Sequence, residues 1–216
     1  MLADDLRKSV LQAAIQGQLT EQLPTDGNAS DLLKKIRSKK AKLIKAKKIK
    51  PVTLPPISDD KLPFKIPANW CWVRLGDVCT LTKGKKVSVG SLPYLDAKYL
   101  RGLKDKVLVD NGIYIAKGTK IILVDGENSG EMFEVTEDGY LGSTFQVVEL
   151  SQNILADYFQ YFIILKKDFY GKNKRGSAIP HLDRQIFFST LIPLPPLAEQ
   201  ERIVARLDEL LPLCEI

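Results

Sequence analysis

Prolines fall at 51, 55, 56, 63 and 67, and this run constrains the fold more than any other feature. Proline has no amide hydrogen and a fixed φ, so at this density neither a helix nor an interior strand can form. Residues 51–67 are therefore predicted to be an extended strap. The strap divides the 216-residue chain into a helical region over 1–50 and a body over 68–195 that opens at Trp70 and Trp72 and reads as mainly strand. A further helix over 196–216 ends the chain.

In the first region, Leu6, Val10, Ala13 and Gly17 recur at helical spacing and predict a helix over residues 2–17. Gly17, Gly27 and Asn28 mark the loop after it. Ser30 is the expected N-cap of a helix over 31–50, with Asp31 in its first turn, where the helix dipole favours a carboxylate. Between Lys34 and Lys50 stand ten basic residues and no acidic one, with few apolar positions: Leu32, Leu33, Ile36, Leu43 and Ile44. Residues 1–67 hold 14 Lys and Arg against 7 Asp and Glu, and the remainder 18 against 19. An excess so placed suggests a nucleic acid or another polyanion as partner, or else a solubilising face on an exposed helix.

The body predicts short strands at 120–126 and 135–150, each punctuated by Asp-Gly, with one helix over about 154–169. A basic, glycine-bounded loop is expected at 171–183 and a strand at 186–197, closed by Pro193, Pro195 and Pro196. In the last helix Ile203, Leu207, Leu210 and Cys214 form a stripe suited to a coiled-coil seam, which Pro212 should kink unless packing absorbs it. The pattern stops at Ile216 without a C-cap, as a truncated chain or one half of something larger would.

Composition excludes several classes. Apolar residues at 44% and charged residues at 27% argue against global disorder. No apolar run approaches the ~18 residues a membrane helix needs, and no signal peptide is visible. Cys71, Cys79 and Cys214 are too scattered for a disulfide framework, and a single His181 argues against a multi-histidine metal site. The expectation is a cytoplasmic protein with reduced thiols. GKNKRGS at 171–177 has the glycine spacing of a phosphate-binding loop but lacks its Lys-Ser/Thr ending. His181 reads as a structural imidazole or a nucleic-acid contact rather than a general base. Asp125, Glu127 and Glu131 read as a solvated turn rather than a metal cluster. No catalytic constellation emerges.

The basic loops say more. Lys83, Lys85 and Lys86 bracket Gly84, Lys98 and Arg101 flank a second turn, and Lys172, Asn173, Lys174 and Arg175 form a third. Lys and Arg neutralise phosphates, and Asn and Arg can also address base edges. These nine residues are the candidate DNA contacts, against the plainer reading of ordinary surface cations in a near-neutral region.

Several segments together resemble the specificity subunit of a type I restriction–modification enzyme: LRKSVLQAAIQGQL (6–19), ASDLLKKIRSKKAKLIKAKKIK (29–50), LPFKIPANWCWVRLGDVCTLTKGKK (62–86), GSAIPHL (176–182) and IPLPPLAEQERIVARLDELLPLCE (192–215). The resemblance implies an α+β architecture. A mostly β target-recognition domain with a small helical insertion would be joined to terminal helices forming a coiled-coil spacer. It implies sequence-specific binding of duplex DNA, without catalysis, on behalf of methylation and restriction subunits. S-adenosylmethionine, ATP and magnesium would belong to those partners, and no cofactor to this chain. Trp70–Gly76 would be the entrance to the recognition domain, Gly176–Leu182 a loop near its end, and Glu199–Leu210 the start of the spacer. Family members carry two recognition domains and this chain has one. A homodimer through Leu6, Val10 and Ala13 with Ile203, Leu207 and Leu210 would restore the pair. Two other readings stay open. One is a helical scaffold whose globular domain binds protein. The other is an RNA-binding module, for which Tyr94, Tyr99 and Tyr114 are the stacking candidates.

Overall fold

The extended strap is held because its carbonyls find a donor. Arg74 Nε donates to the Pro55 carbonyl at 2.6 Å and Nη2 to the Pro56 carbonyl at 2.8 Å, while Nη1 takes the Ser189 carbonyl. The structure is a computed structural model, and it describes residues 2–176 and 180–215. The Ser177–Ile179 part of the GSAIPHL segment and the chain stop at Ile216 lie outside the described residues.

In chain order the elements are α1 (Leu2–Ile15), α2 (Ala29–Lys45), β1 (Cys71–Arg74), α3 (Leu75–Val78), β2 (Cys79–Thr82), β3 (Lys86–Val87), β4 (Leu92–Leu95), α4 (Ala97–Leu100), β5 (Leu108–Val109), β6 (Gly112–Ile115), β7 (Lys120–Leu123), β8 (Met132–Glu134), β9 (Gly139–Leu141), β10 (Phe145–Leu150), α5 (Ala156–Lys172), α6 (Arg184–Ser189), β11 (Leu191–Leu194) and α7 (Leu197–Leu210). The class is α+β, with sheets in the middle of the chain and helices at both ends. Two compact units divide it. The first is residues 1–78, 150–165 and 185–216; the second is 79–149 and 166–184. These limits do not follow the sequence boundaries at 68 and 195, because β1 pairs antiparallel with β11, Val73 opposite Ile192, within the first unit.

In the first unit α1 buries Leu11, Ala14 and Ile15 against α7 and the turn Pro212–Glu215. The expected stripe had the right period and the wrong phase: Leu6 is 51% exposed, and Val10 and Ala13 flank the buried edge. On α7 the buried apolar residues are Ile203 and Leu207, continued by Leu211 and Cys214 rather than by Leu210. Ile203 and Leu207 are thus core of this chain, and the reading of them as an intersubunit seam is corrected. Pro212 stops α7 instead of kinking it, as expected where a proline cannot donate to the preceding turn. The Asn28 side chain, not Ser30, caps α2, accepting the Ser30 amide at 2.8 Å. The strand expected at 186–197 splits into α6 and β11.

Three helices close alike. After α1 the Gly17 and Gln18 amides turn back to the carbonyls of Ala14 and Ala13; after α4, Gly102 and Leu103 do so to Tyr99 and Lys98. In both the residue with positive φ is glycine, as this closure favours. After α2 the same bonds run from Lys47 to Ile44 and from Lys48 to Leu43, at 2.9 and 3.0 Å, and the positive φ, 55°, falls on Lys47. A residue with a Cβ is disfavoured there by roughly 1–2 kcal/mol.

At the start of α7, Glu199 is fully buried. Its carboxylate accepts the Trp70 indole N–H at 2.7 Å, the Gln22 side-chain amide at 2.9 Å and the Thr20 hydroxyl at 3.2 Å. Gln200, equally buried, accepts the Leu155 amide at 2.8 Å and donates to the Pro195 carbonyl at 3.0 Å.

In the second unit β2-β10-β7-β8 form one sheet and β3-β6-β9-β4-β5 the other; the β4–β9 pair is parallel. Leu95, Ile115, Ile121, Leu123, Val135, Leu141 and Phe145 pack as one core drawn from both sheets.

Glu199→Ala is expected to cost about 1–3 kcal/mol, because the buried Trp70 N–H loses its acceptor while the Thr20 and Gln22 donors can turn to water. Urea denaturation of the full chain measures it.

Candidate nucleic-acid interface

Tyr140, in the centre of the five-stranded sheet, is completely buried except that its hydroxyl reaches a loop. That hydroxyl accepts the Val89 amide at 3.0 Å and donates to the Gly90 carbonyl at 2.9 Å. Ser88 Oγ donates to the Asp110 carbonyl at 2.9 Å. The segment after β2 is therefore tied to β9 and to the turn after β5. A Cβ on Gly112 would lie 2.7 Å from Tyr140, so glycine there lets the ring sit against β6.

This anchored segment carries Lys83, Lys85 and Lys86, all exposed and, among the described residues, without an ion-pair partner. Exposed Val87 and Val89 stand beside them, and Leu108 is exposed two residues before Asp110. Lys98 is exposed on α4, whose N-cap Asp96 accepts the Tyr99 amide at 2.9 Å.

The other basic candidates divide. Arg101 pairs with Glu131 and lies 5.8 Å over the Phe133 ring. Lys174, mostly buried, holds the Glu127 carbonyl at 2.7 Å and its carboxylate at 3.3 Å. Asn173 donates to the Phe169 carbonyl at 2.8 Å and finishes α5. In these three the polar groups are already engaged within the chain, so they are not carried forward as DNA contacts below. Lys172 belongs to the last turn of α5 rather than to a loop, and is exposed. Arg175 gives Nε to the buried Asp183 while its side chain remains 67% exposed, so its outer amines stay presented in a fixed direction.

Asp125, Glu127 and Glu131 each have a cation or imidazole against them. Glu127 holds Lys174, Glu131 holds Arg101 and Lys167, and Asp125 Oδ1 lies 2.7 Å from His181 Nδ1. Asp125 thus supplies a carboxylate that orients the His181 imidazole. Backbone pairing of His181 with Arg175 and of Leu182 with Val124 makes this contact part of a clamp on the loop. Among the described residues no group of three metal-ligating side chains gathers. The stacking candidates have their hydroxyls engaged: Tyr94 with the Ser143 amide, Tyr99 with Glu137 and Tyr114 with Asp138. Lys106 and Tyr99 together hold the Glu137 carboxyl below its ordinary pKa. Lys104 is likewise paired, with Asp96 at 2.9 Å. Among the described residues no helix is long and apolar enough to cross a membrane.

The model of the family described as "Type I restriction modification DNA specificity domain" matches residues 67–216. The chain belongs to this family. The specificity-domain chain is 32% identical to the type I restriction enzyme EcoAI specificity subunit of Escherichia coli, over 98% of its own length and 40% of that protein. It is 36% identical to the MjaVIII specificity subunit of Methanocaldococcus jannaschii, over 68% of its own length and 37% of that protein. It thus spans well under half the length of these relatives. The crystal structure of the HsdS subunit from Thermoanaerobacter tengcongensis superposes with a TM-score of 0.54 at 18% identity, over 99% of this chain and 49% of that one, which shows a shared fold. A protein-binding scaffold is not favoured by these relatives.

Tyr140→Phe leaves the Val89 amide without its acceptor. Loss of about 1.4 kcal/mol of local protection corresponds to tenfold faster exchange. Hydrogen exchange at Val89 is expected to accelerate by that factor while exchange in β7 stays unchanged.

Proposed function

We propose that this chain supplies DNA target recognition to a type I restriction–modification assembly. The observation that carries the reading is the anchored segment Lys83–Gly90: ammonium groups without an ion-pair partner among the described residues, and exposed apolar side chains, on a segment fixed by Tyr140. Ammonium groups position a protein on phosphates, and apolar side chains can meet a thymine methyl in the major groove. Lys83, Lys85, Lys86, Lys98 and Lys172 are the phosphate contacts in this proposal, and Arg175, oriented by Asp183, is the base reader. Family membership supports the same role. Methyl transfer and cleavage, with their S-adenosylmethionine, ATP and magnesium, fall to partner methylation and restriction subunits, in the cytoplasm.

Selection from random duplexes tests the reading. A recovered consensus is expected, with log K falling against log salt with a slope of about −4 or steeper if roughly four phosphates are neutralised. A slope near zero, or no consensus, overturns it. The purified chain is expected to transfer no labelled methyl group to the selected duplex.

The assembly we propose is a homodimer reading two inverted half-sites, since two copies of this chain joined with two-fold symmetry would present two recognition domains. With Ile203 and Leu207 committed to the core, the interface falls to Leu6, Val10, Ala13 and Leu210. Sedimentation at micromolar concentration checks it. Wild type is expected at twice 24.2 kDa and Leu6→Asp at 24.2 kDa, and equal masses near 24.2 kDa overturn the dimer.

A further inference from the structure

Helix α2 is fixed in rotation by its inner side. Ala29 and Ile36 are buried, the Ala29 amide donates to the Asn69 carbonyl at 2.9 Å, Lys40 donates to the Gly76 carbonyl, and Arg37 lies 3.5 Å from Asp77. At about 100° per residue, Lys34, Lys35, Lys42 and Lys45 then lie away from that side and Lys39 flanks it, and all five are exposed. Lys34 meets Asp31 and Lys39 meets Gln152. Among the described residues Lys42, Lys45, Lys47 and Lys48 have no ion-pair partner. Beyond Asp31 the outer face offers only the small Ser38 and Ala41 besides its lysines.

We propose that this face grips the phosphate backbone of duplex DNA without reading sequence, as a contact separate from the second unit's loop. The proposal rests on the DNA-binding function proposed above. Three observations favour DNA over a protein partner. Lysine is depleted in protein–protein interfaces, and this face is almost all lysine. Lys35 to Lys45 spans roughly 15 Å of helix, along which a duplex displays one phosphate per ~1.7 Å of its axis. Lys47, finally, occupies the left-handed position where α1 and α4 have glycine, so positive charge is kept at a backbone cost.

Salt titrations of the full chain on its selected duplex, and on a scrambled duplex of equal length, test this. K35Q/K42Q/K45Q is expected to fold as wild type, to bind with a slope two to three units shallower, and to lose affinity by the same factor on both duplexes. Lys47→Gly is expected to melt at a higher temperature than wild type and yet bind both duplexes more weakly. An unchanged slope in the triple variant, or a loss confined to the selected duplex, overturns the backbone grip while leaving the DNA-binding reading intact. Failure of wild type to bind any duplex removes both.

Discussion

A carboxylate buried away from water must be satisfied by protein donors, and Glu199 is satisfied by three segments at once. Trp70 lies 129 positions away, and Thr20 and Gln22 lie 179 and 177 away, so this side chain ties both ends of the chain to the entrance of the sheet region. Its place in the first turn of α7 puts it at the positive end of the helix dipole. Arg202, one turn further, adds a pair with Asp26 at 2.5 Å, and holds that carboxyl below its ordinary pKa chiefly by hydrogen bonding. Apolar packing of α1 on α7 supplies much of the attraction but has little direction. The hydrogen bonds at Glu199 and Gln200 require one arrangement of the loop after α1, and so select among the packings the apolar stripes would tolerate.

That division of labour explains what the sequence made legible. Proline density gave the strap, and the runs at 120–123 and 145–150 gave the two central strands of the four-stranded sheet, because each is a local property. Helical period in α1 was legible too; its phase was not, since Leu6, Val10 and Leu11 are all apolar and only the partner helix decides between them. The segment from Ile186 to Leu197 reads as one apolar run, yet Thr190 ends α6 by bonding back to Ile186 and Phe187 before β11 begins. Asn28 and Ser30 are both good caps, and the choice fell to the Ala29 amide, whose bond to Asn69 draws the chain in earlier.

At the candidate interface the residue types were legible and their use was not. Arg101 and Glu131 are 30 positions apart, and Lys174 and Glu127 are 47 apart, so no local pattern tells a spent cation from a free one. Tyr140 carried no signal either, because a buried tyrosine is ordinary and the role of its hydroxyl comes from the loop it meets. A hint does lie in the spacing of acids. Lys83, Lys85 and Lys86 have no Asp or Glu between residues 78 and 95, whereas Arg101, Lys104 and Lys106 have Asp96, Asp105 and Asp110 close by.

Near-neutral overall charge therefore says little about whether a region can hold a polyanion. In the second unit most carboxylates are tied up with particular cations, and the pairs they form are locally neutral. Among the described residues some ammonium groups are reached by no carboxylate, and three of these, Lys83, Lys85 and Lys86, lie on a segment whose backbone is fixed by a buried side chain. Fixed backbone with free charge suits recognition, since little loop entropy is lost on binding. Helix α2 reaches a comparable state by a different route, with its rotation set by Ile36, Lys40 and the Ala29 amide, and a run in which acidic residues are simply missing. The loop combines charge with groups that can tell one base from another, and the helix carries charge alone. By this chemistry the first can supply sequence discrimination, while the second can supply affinity that is strong at low salt and indifferent to sequence.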